Sequence, residues 1–368
     1  MVDANNPAAL SNRENHRTTS MIFSSDNWAG AHPVIAESLV KAAGGFASAY
    51  GASDLDKKVE KKFSEVFERD VAVFFVATGT AANSLALASA NRPGGHVFCH
   101  REAHVNVDEC GAPEFFSHGS RLAPVDGLLG KIDPLKLETE IKRFPPGFVH
   151  GGQPMAITIT QATEAGTVYS LGEIDRIAAI ARKYHLPLHM DGARFANALV
   201  SLGATPAEMT WKRGIDLLSF GGTKNGCWCA EALILFDPAK AQQMHYLRKR
   251  SAQLFSKSRF IAAQFDAYLE GGLWLDLARH ANLMANWLAE GIEASTGARL
   301  AWPSGSNELF IILKKDTAKK LEEKGAVFYD WPVPHTLAGS VTADEGLYRL
   351  VTSFATTRED VEQFIAAC

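Results

Sequence analysis

Seven short, uninterrupted apolar runs separated by segments of helical periodicity constrain this chain more than any other feature. The runs are Val73–Val76, His96–Cys99, Leu122–Val125, Ile157–Thr160, Leu186–Met190, Leu217–Phe220 and Ala232–Phe236. A strand that is apolar on both sides must be covered on both faces, so the pattern predicts a mainly parallel sheet flanked by helices. The intervening helices carry their own signals. Ser53 stands as an N-cap before Leu55, Val59, Phe63 and Val66, which recur at helical spacing. An alanine-rich helix is expected from about Ala81 to Ala90, stopped by Asn91-Arg92-Pro93-Gly94. Ser170 and Glu173 read as a capping box ahead of Ile174, Ile177 and Ile180. Sheets of this kind bind ligands at the carboxyl ends of their strands.

After Phe236 the pattern changes. Long helical stretches are expected from about Ala239 to Ser295, with Trp274, Leu277, His280 and Ala281 in one of them. Strands follow near Leu309–Leu313, Val327–Trp331 and Tyr348–Phe354, then a closing helix from Arg358. The division expected from this is a disordered lead-in over 1–20, a large ligand-binding unit over 21–265 and a small α+β unit over 266–368. A chain of 368 residues with a net charge of −4 and interspersed charges lacks the clustered basic surface of a nucleic-acid binder. No apolar run approaches the ~20 residues that span a bilayer, and residues Met1 to Ser20 lack the apolar core of a signal peptide. The five cysteines (Cys99, Cys110, Cys227, Cys229 and Cys368) form no CxxC pair. They suggest a reducing compartment and cytoplasmic residence. Cys227 and Cys229 read either as metal ligands or as thiols side by side on one face of a buried strand; the latter is the reading taken, with no metal.

Three segments carry chemistry. In Leu217-Leu218-Ser219-Phe220-Gly221-Gly222-Thr223-Lys224-Asn225-Gly226 a strand runs into glycines that let backbone approach a flat ligand. Lys224 then sits at a strand end, where desolvation turns an ammonium into a nucleophile toward an aldehyde; a solvent-facing turn lysine is the plainer alternative. In His189-Met190-Asp191-Gly192-Ala193-Arg194 the strand delivers the Asp191 carboxylate to the same crevice. Such a carboxylate can keep a pyridinium nitrogen protonated or simply cap a helix. In Ala77-Thr78-Gly79-Thr80-Ala81-Ala82-Asn83 a strand ends at a helix start, which offers free N–H groups and hydroxyls to a phosphate.

Taken together and in order, these segments resemble the low-specificity L-threonine aldolase family of fold-type-I pyridoxal phosphate enzymes, particularly its bacterial branch that includes phenylserine aldolases. The likeness runs from about Phe23 to the C-terminus. It also takes in Ser24-Ser25-Asp26-Asn27, the run from His104 to Glu114, Thr163-Glu164-Ala165-Gly166-Thr167 and Arg349-Leu350-Val351-Thr352-Ser353. The resemblance implies an aspartate aminotransferase-like α/β fold with a mainly parallel seven-stranded sheet and pyridoxal 5'-phosphate as cofactor. By that resemblance Lys224 is the Schiff-base lysine, Asp191 the partner of the pyridine nitrogen, and Gly79 and Thr80 the phosphate-binding turn. His104 matches the imidazole stacked on the cofactor ring near the substrate hydroxyl. Ser25, Arg194 and Arg349 match groups around the substrate carboxylate and the cofactor oxygens. Arg259 matches an arginine that reaches the phosphate of a neighbouring subunit, in a homodimer or homotetramer. The chain departs from relatives at Cys227-Trp228-Cys229 and at Ser53-Asp54.

The resemblance implies retro-aldol cleavage of a β-hydroxy-α-amino acid such as threonine, allo-threonine or phenylserine, giving glycine and an aldehyde. Lys224, His104 and Asp191 are then the catalytic set. Another fold-type-I chemistry, β-elimination or transamination, and a non-catalytic cofactor-binding regulator remain the alternatives. Arg349 lies in an apolar strand, where its charge needs a partner. A substrate carboxylate or an internal ion pair would supply one. Phe265 and Trp274 read as core.

Overall fold

A computed structural model describes residues 21–334 and 339–368; the expected lead-in over 1–20 lies outside the described residues. The seven apolar runs all fall in one sheet. Its strands are β1 (Ala72–Val76), β2 (Gly95–His100), β3 (Arg121–Val125), β4 (Gln153–Thr160), β5 (Leu188–Gly192), β6 (Leu217–Gly221) and β7 (Glu231–Leu235). Their spatial order is β1-β7-β6-β5-β4-β2-β3. The run β6-β5-β4-β2-β3 is parallel, and β7 is antiparallel to both β6 and β1. This is the mainly parallel seven-stranded sheet expected. The four-stranded antiparallel sheet that follows is ordered β10-β11-β9-β8. Its strands are β8 (Ala298–Leu300), β9 (Glu308–Lys314), β10 (Tyr329–Asp330) and β11 (Glu345–Val351).

Local chemistry sets the element ends. Ser53 and Asp56 form a capping box on the helix Asp54–Val66, as Ser170 and Glu173 do on Leu171–Lys183. The alanine-rich helix starts two residues earlier than its composition suggests, at Gly79, because Thr78 Oγ1 accepts from Ala81 N and so caps it. The long stretch after Ala239 divides into helices Gln242–Arg250, Arg259–Leu269 and Leu273–Ala294. The last break falls where Gly271 and Gly272 take φ of 59° and 80°. Cys227 and Cys229 lie in the loop before β7, not side by side on a strand; Cys227 is buried and Cys229 Sγ points to Ala77 O at 3.3 Å. Among the described residues no helix is long and apolar enough to cross a membrane.

One aromatic cluster anchors the helical layer on the face of the sheet that β6 presents. Phe220, fully buried, has the rings of Phe63, Phe67, Phe195, Phe265, Tyr268 and Trp274 around it at centroid distances of 5.2 to 6.4 Å. Phe265 and Trp274 are core, as expected. Offset and edge-to-face ring pairs add to the area they bury. The cluster also fixes the segment that follows β6, because Asn225 Nδ2 donates to Tyr268 Oη at 2.7 Å and to Trp274 O at 2.8 Å. Phe220→Ala is expected to cost about 3–5 kcal/mol, the range for emptying a packed phenylalanine site. Equilibrium urea denaturation measures it, and a loss below ~1 kcal/mol is inconsistent with the cluster as an anchor.

Candidate active site

The carboxyl ends of the central strands open on a cavity of about 310 Å³, within the range of small-ligand sites. Its wall includes Asn27, Gly79, Thr80, Asn83, His104, Glu164, Asp191, Arg194, Thr223, Lys224 and Glu231. Two larger cavities, of about 790 and 690 Å³, lie at the opposite end of the sheet around Gln153, Leu186 and Asp216. They hold none of the candidate residues. The sequence thus places its three chemical segments in one hollow, although the first, ending at Asn83, lies more than a hundred residues before the other two.

Each wall residue is set by its strand end. Asp191 follows β5 register, opposite Thr160 of β4 and Ser219 of β6, and is 3% exposed. Its Oδ1 accepts from Ala193 N at 3.0 Å and its Oδ2 from Asn83 Nδ2 at 2.8 Å. Those donors satisfy both oxygens of a carboxylate shut away from water. Two residues upstream His189 is fully buried between Thr158 Oγ1 at 2.8 Å and Ser219 Oγ at 3.0 Å. Burial holds its pKa down, to about 4, so it is a neutral bridge across three strands.

Lys224 sits in the turn Thr223–Asn225. Thr223 N donates to Glu231 Oε1 at 3.3 Å, Thr223 Oγ1 accepts from Ala230 N, and Asn225 is pinned as above. Among the described residues the ammonium of Lys224 has no hydrogen-bond or ion-pair partner. The glycines of this segment serve the protein's own backbone more than a ligand. A Cβ at Gly221 would lie 2.5 Å from Ala193 O, and one at Gly192 would lie 2.6 Å from Ser219 O. The carboxyl ends of β5 and β6 therefore lie in close contact, which holds Asp191 and Lys224 against one cavity. Gly79 and Thr80 open the helix Gly79–Ser89, so their N–H groups have no carbonyl of that helix to reach.

His104, about half exposed, begins a short helix after β2. Its Nδ1 meets Glu109 Oε1 at 2.8 Å, and its backbone N–H donates to Glu164 Oε1 at 2.8 Å. The Glu109 hydrogen bond raises the His104 pKa against burial, and the Asp191 charge adds to it. Asn83, Glu109, Glu164 and Glu231 were given no role from the sequence. A signal existed for Glu231: an acidic residue opening an apolar strand needs a partner.

The remaining candidates stand outside the cavity wall or are already engaged. Arg194 lines the cavity but donates through Nε and Nη2 to Asp26 at 2.7 and 3.0 Å, and its Nη1 lies 3.1 Å from Glu308 Oε2. Burial alone would push the Asp26 carboxyl up; Arg194 and Lys224 hold it below the usual carboxylate range. Arg349, on β11, is behind this pair. It lies 3.9 Å from Glu308 Oε1, donates to Ser24 O at 3.3 Å, and stacks over Trp331 at 4.8 Å. Its Nε is buried with no partner. Ser25 does not line the cavity; its Oγ accepts from Asn27 N at 3.2 Å and so positions Asn27, which does. Arg259 is also away from the cavity, with Nη1 on the carbonyls of Gly44 and Gly45 at 3.4 and 3.1 Å.

Known proteins are similar to this chain in sequence and in fold. The Beta-eliminating lyase family profile covers residues 23–364. The chain is 43% identical over 311 residues to the low specificity L-threonine aldolase of Pseudomonas sp. (strain NCIMB 10558), covering 84% of this chain and 89% of that protein. It is 42% identical to the low specificity L-threonine aldolase of Pseudomonas aeruginosa, covering 83% and 88%. Among solved structures it superposes on the threonine aldolase of Leishmania major with a TM-score of 0.86 at 30% identity, over 94% of this chain and 97% of that one.

Two buried acids make the site's pH response measurable. Glu164 keeps some surface as a residue, but its Oε2 has neither surface nor partner; Glu231 is 6% exposed. Burial pushes each carboxyl up to about 7, from an ordinary 4.5. The folded chain therefore keeps a proton that the unfolded chain gives up near 4.5. That contribution is complete below pH 4.5 and is lost as pH rises through 7. In the cofactor-free protein, Glu164→Gln and Glu231→Gln are each expected to match the parent at about pH 4, below the ordinary 4.5. By about pH 9 each should gain as much as ~3 kcal/mol over it. Thermal unfolding across that range reads the difference, and a gap that stays constant with pH is the contrary result.

Proposed function

Because the chain belongs to the Beta-eliminating lyase family and, within it, to the low-specificity L-threonine aldolases, we propose that it cleaves L-threonine and related β-hydroxy-α-amino acids between Cα and Cβ, releasing glycine and an aldehyde. It does so as a pyridoxal 5'-phosphate-dependent lyase. The observation that carries the reading is the single cavity holding Lys224, Asp191 and the helix start at Gly79 and Thr80. The donor set fits the cofactor. A hydrogen-bonded buried carboxylate suits a pyridinium nitrogen, unpaired helix N–H groups suit a phosphate, and an amine without a protein partner suits an aldehyde carbon. Lys224, Asp191, and Gly79 with Thr80 would hold those three parts, and His104 one face of the ring. When bound, the cofactor supplies an electron-accepting ring for the charge left at Cα.

The chain's own residues would do the rest. Arg349, behind the Arg194 pair, is the candidate grip for the substrate carboxylate, because the guanidinium of Arg194, although it lines the cavity, is committed to Asp26 and Glu308. A carboxylate gripped on a rigid strand orients the neighbouring Cα–Cβ bond. His104 has Nδ1 engaged by Glu109, which leaves Nε2 to remove the proton of the β-hydroxyl. The aldehyde's departure then needs no further acid.

We also propose that the chain acts as a dimer or tetramer in the cytoplasm. Trp28, Phe46, Tyr50 and Trp228 are exposed apolar side chains; Trp28 adjoins the cavity residue Asn27, and Trp228 follows the Lys224 turn. Arg259 holds the carbonyls just before the exposed Phe46 and so stands beside this apolar surface; its reach toward a neighbouring subunit's phosphate is part of the same proposal.

Lys224→Ala is expected to remove the visible absorbance of the bound cofactor and to reduce glycine release from L-threonine by at least ~10³-fold. Retained turnover would overturn the assignment. His104→Ala is expected to slow cleavage by about 10²-fold, the low end for a general base, while cofactor affinity changes far less. A loss confined to affinity removes its role as base. Assaying threonine, allo-threonine, phenylserine and serine for glycine, against keto acid and ammonia, separates aldol cleavage from transamination and β-elimination.

A further inference from the structure

The cavity wall contains a continuous polar chain that runs from His104 to Asp191 through Glu109 and Asn83. His104 Nδ1 meets Glu109 Oε1 at 2.8 Å, Asn83 Nδ2 donates to the same Oε1 at 2.8 Å, and Asn83 Nδ2 donates also to Asp191 Oδ2 at 2.8 Å. Three elements meet here: the helix Gly79–Ser89, the segment after β2, and β5. Glu109 turns inward because the chain reverses directly after it, with Cys110 and Gly111 at φ of 51° and 74°. The Glu109 side chain has no exposed surface, and its Oε2 has no partner.

The amide of Asn83 can face only one way. Two carboxylate oxygens lie at its Nδ2, and a carboxylate accepts but does not donate. With both amide hydrogens used, Asn83 is a fixed spacer between Glu109 and Asp191. Glu109 Oε1 is left with two donors, Asn83 and the imidazole. A dry carboxylate with an orphaned second oxygen needs both.

We propose that Glu109, spaced by Asn83, is a positioning residue that keeps the proton of His104 on Nδ1 and ties that imidazole to the carboxylate at Asp191. His104 thereby presents Nε2, in a fixed ring orientation, to the substrate. The charged groups facing it are Glu109 from its own segment, Asp191 from β5 and Lys224 from the turn after β6. Glu164, in the segment after β4, accepts its backbone N–H. Two of these act in opposite senses: Asp191 favours the imidazolium and Lys224 disfavours it. The direct hydrogen bond to Glu109 is the largest influence in favour. Burial, with the Asp191 charge, drives the Glu109 carboxyl above its ordinary range, and the hydrogen bonds from His104 and Asn83 pull against that. The pair is thus a proton-sharing unit coupled through one amide to the site expected to hold the cofactor's ring nitrogen. This inference rests on the proposed function in one respect, that His104 takes the β-hydroxyl proton.

The test is Glu109→Gln in the holoenzyme, which keeps shape and removes charge. Nitrogen-15 NMR of histidine-labelled protein, assigned with His104→Asn, reads the His104 titration midpoint directly. The pH profile of kcat/KM reads its effect on turnover, and the visible band reports cofactor occupancy. The midpoint is expected to fall by on the order of one pH unit, a tenfold change in proton affinity. The acid limb of the profile should move down with it, because a base of lower pKa is free at lower pH. Glu109→Asp, which restores the charge, should return the midpoint toward the parent. Asn83→Ala, which strips a donor from both carboxylates, should move it up; this variant also carries the test should Glu109→Gln fail to fold. A midpoint unmoved in the variants that fold overturns the proposal. A midpoint that moves while the acid limb stays supports the positioning role and instead overturns His104 as the base.

Discussion

A carboxylate shut away from water at the end of the central strand sets the terms for the rest of the site. At 3% exposure both oxygens of Asp191 depend on donors from the protein, Ala193 N and Asn83 Nδ2. Asn83 can donate only because its helix begins at Gly79, which places residue 83 one turn inside the helix and over the sheet. The same helix start supplies the unpaired N–H groups. One helix therefore serves two distant demands, an anion at its N-terminus and a hydrogen bond to the acid on β5.

The loops after β5 and β6 add the next constraint. They leave adjacent strand ends that approach so closely that glycine is required on both sides: Gly192 against Ser219 O and Gly221 against the Ala193 backbone. That contact fixes the spacing between the acid and the lysine turn. Phe220, immediately before Gly221, is locked by six rings, so the turn is held by apolar packing and by Asn225. Close packing converts a loop into a fixed platform for an amine.

A second set of charges joins the two sheets. Asp26 from the start of the described chain, Arg194 after β5, Glu308 on β9 and Arg349 on β11 form one buried alternation of acid and base. Asn307 also donates to Asp26, at 3.1 Å. Removing any member would strand an unpaired charge in low dielectric. An arginine in this array is thus a structural ion as well as a candidate ligand for a carboxylate.

The sequence by itself determined the strands, their burial on both faces, the capping boxes and the delivery of Asp191, Lys224 and Gly79 to the same end of a parallel sheet. These are consequences of local periodicity and of chain direction, which neighbouring residues encode. It also carried enough of its motifs, in order, to resemble the family to which it belongs. Only the tertiary structure decided which polar side chains meet. Asn83 and Asp191 are 108 positions apart and Asp26 and Arg194 are 168 apart, so no periodicity relates them. Burial gave Glu109, Glu164 and Glu231 their significance. A glutamate's proton affinity depends on the dielectric and the charges around it, and neither exists until the chain has closed over it.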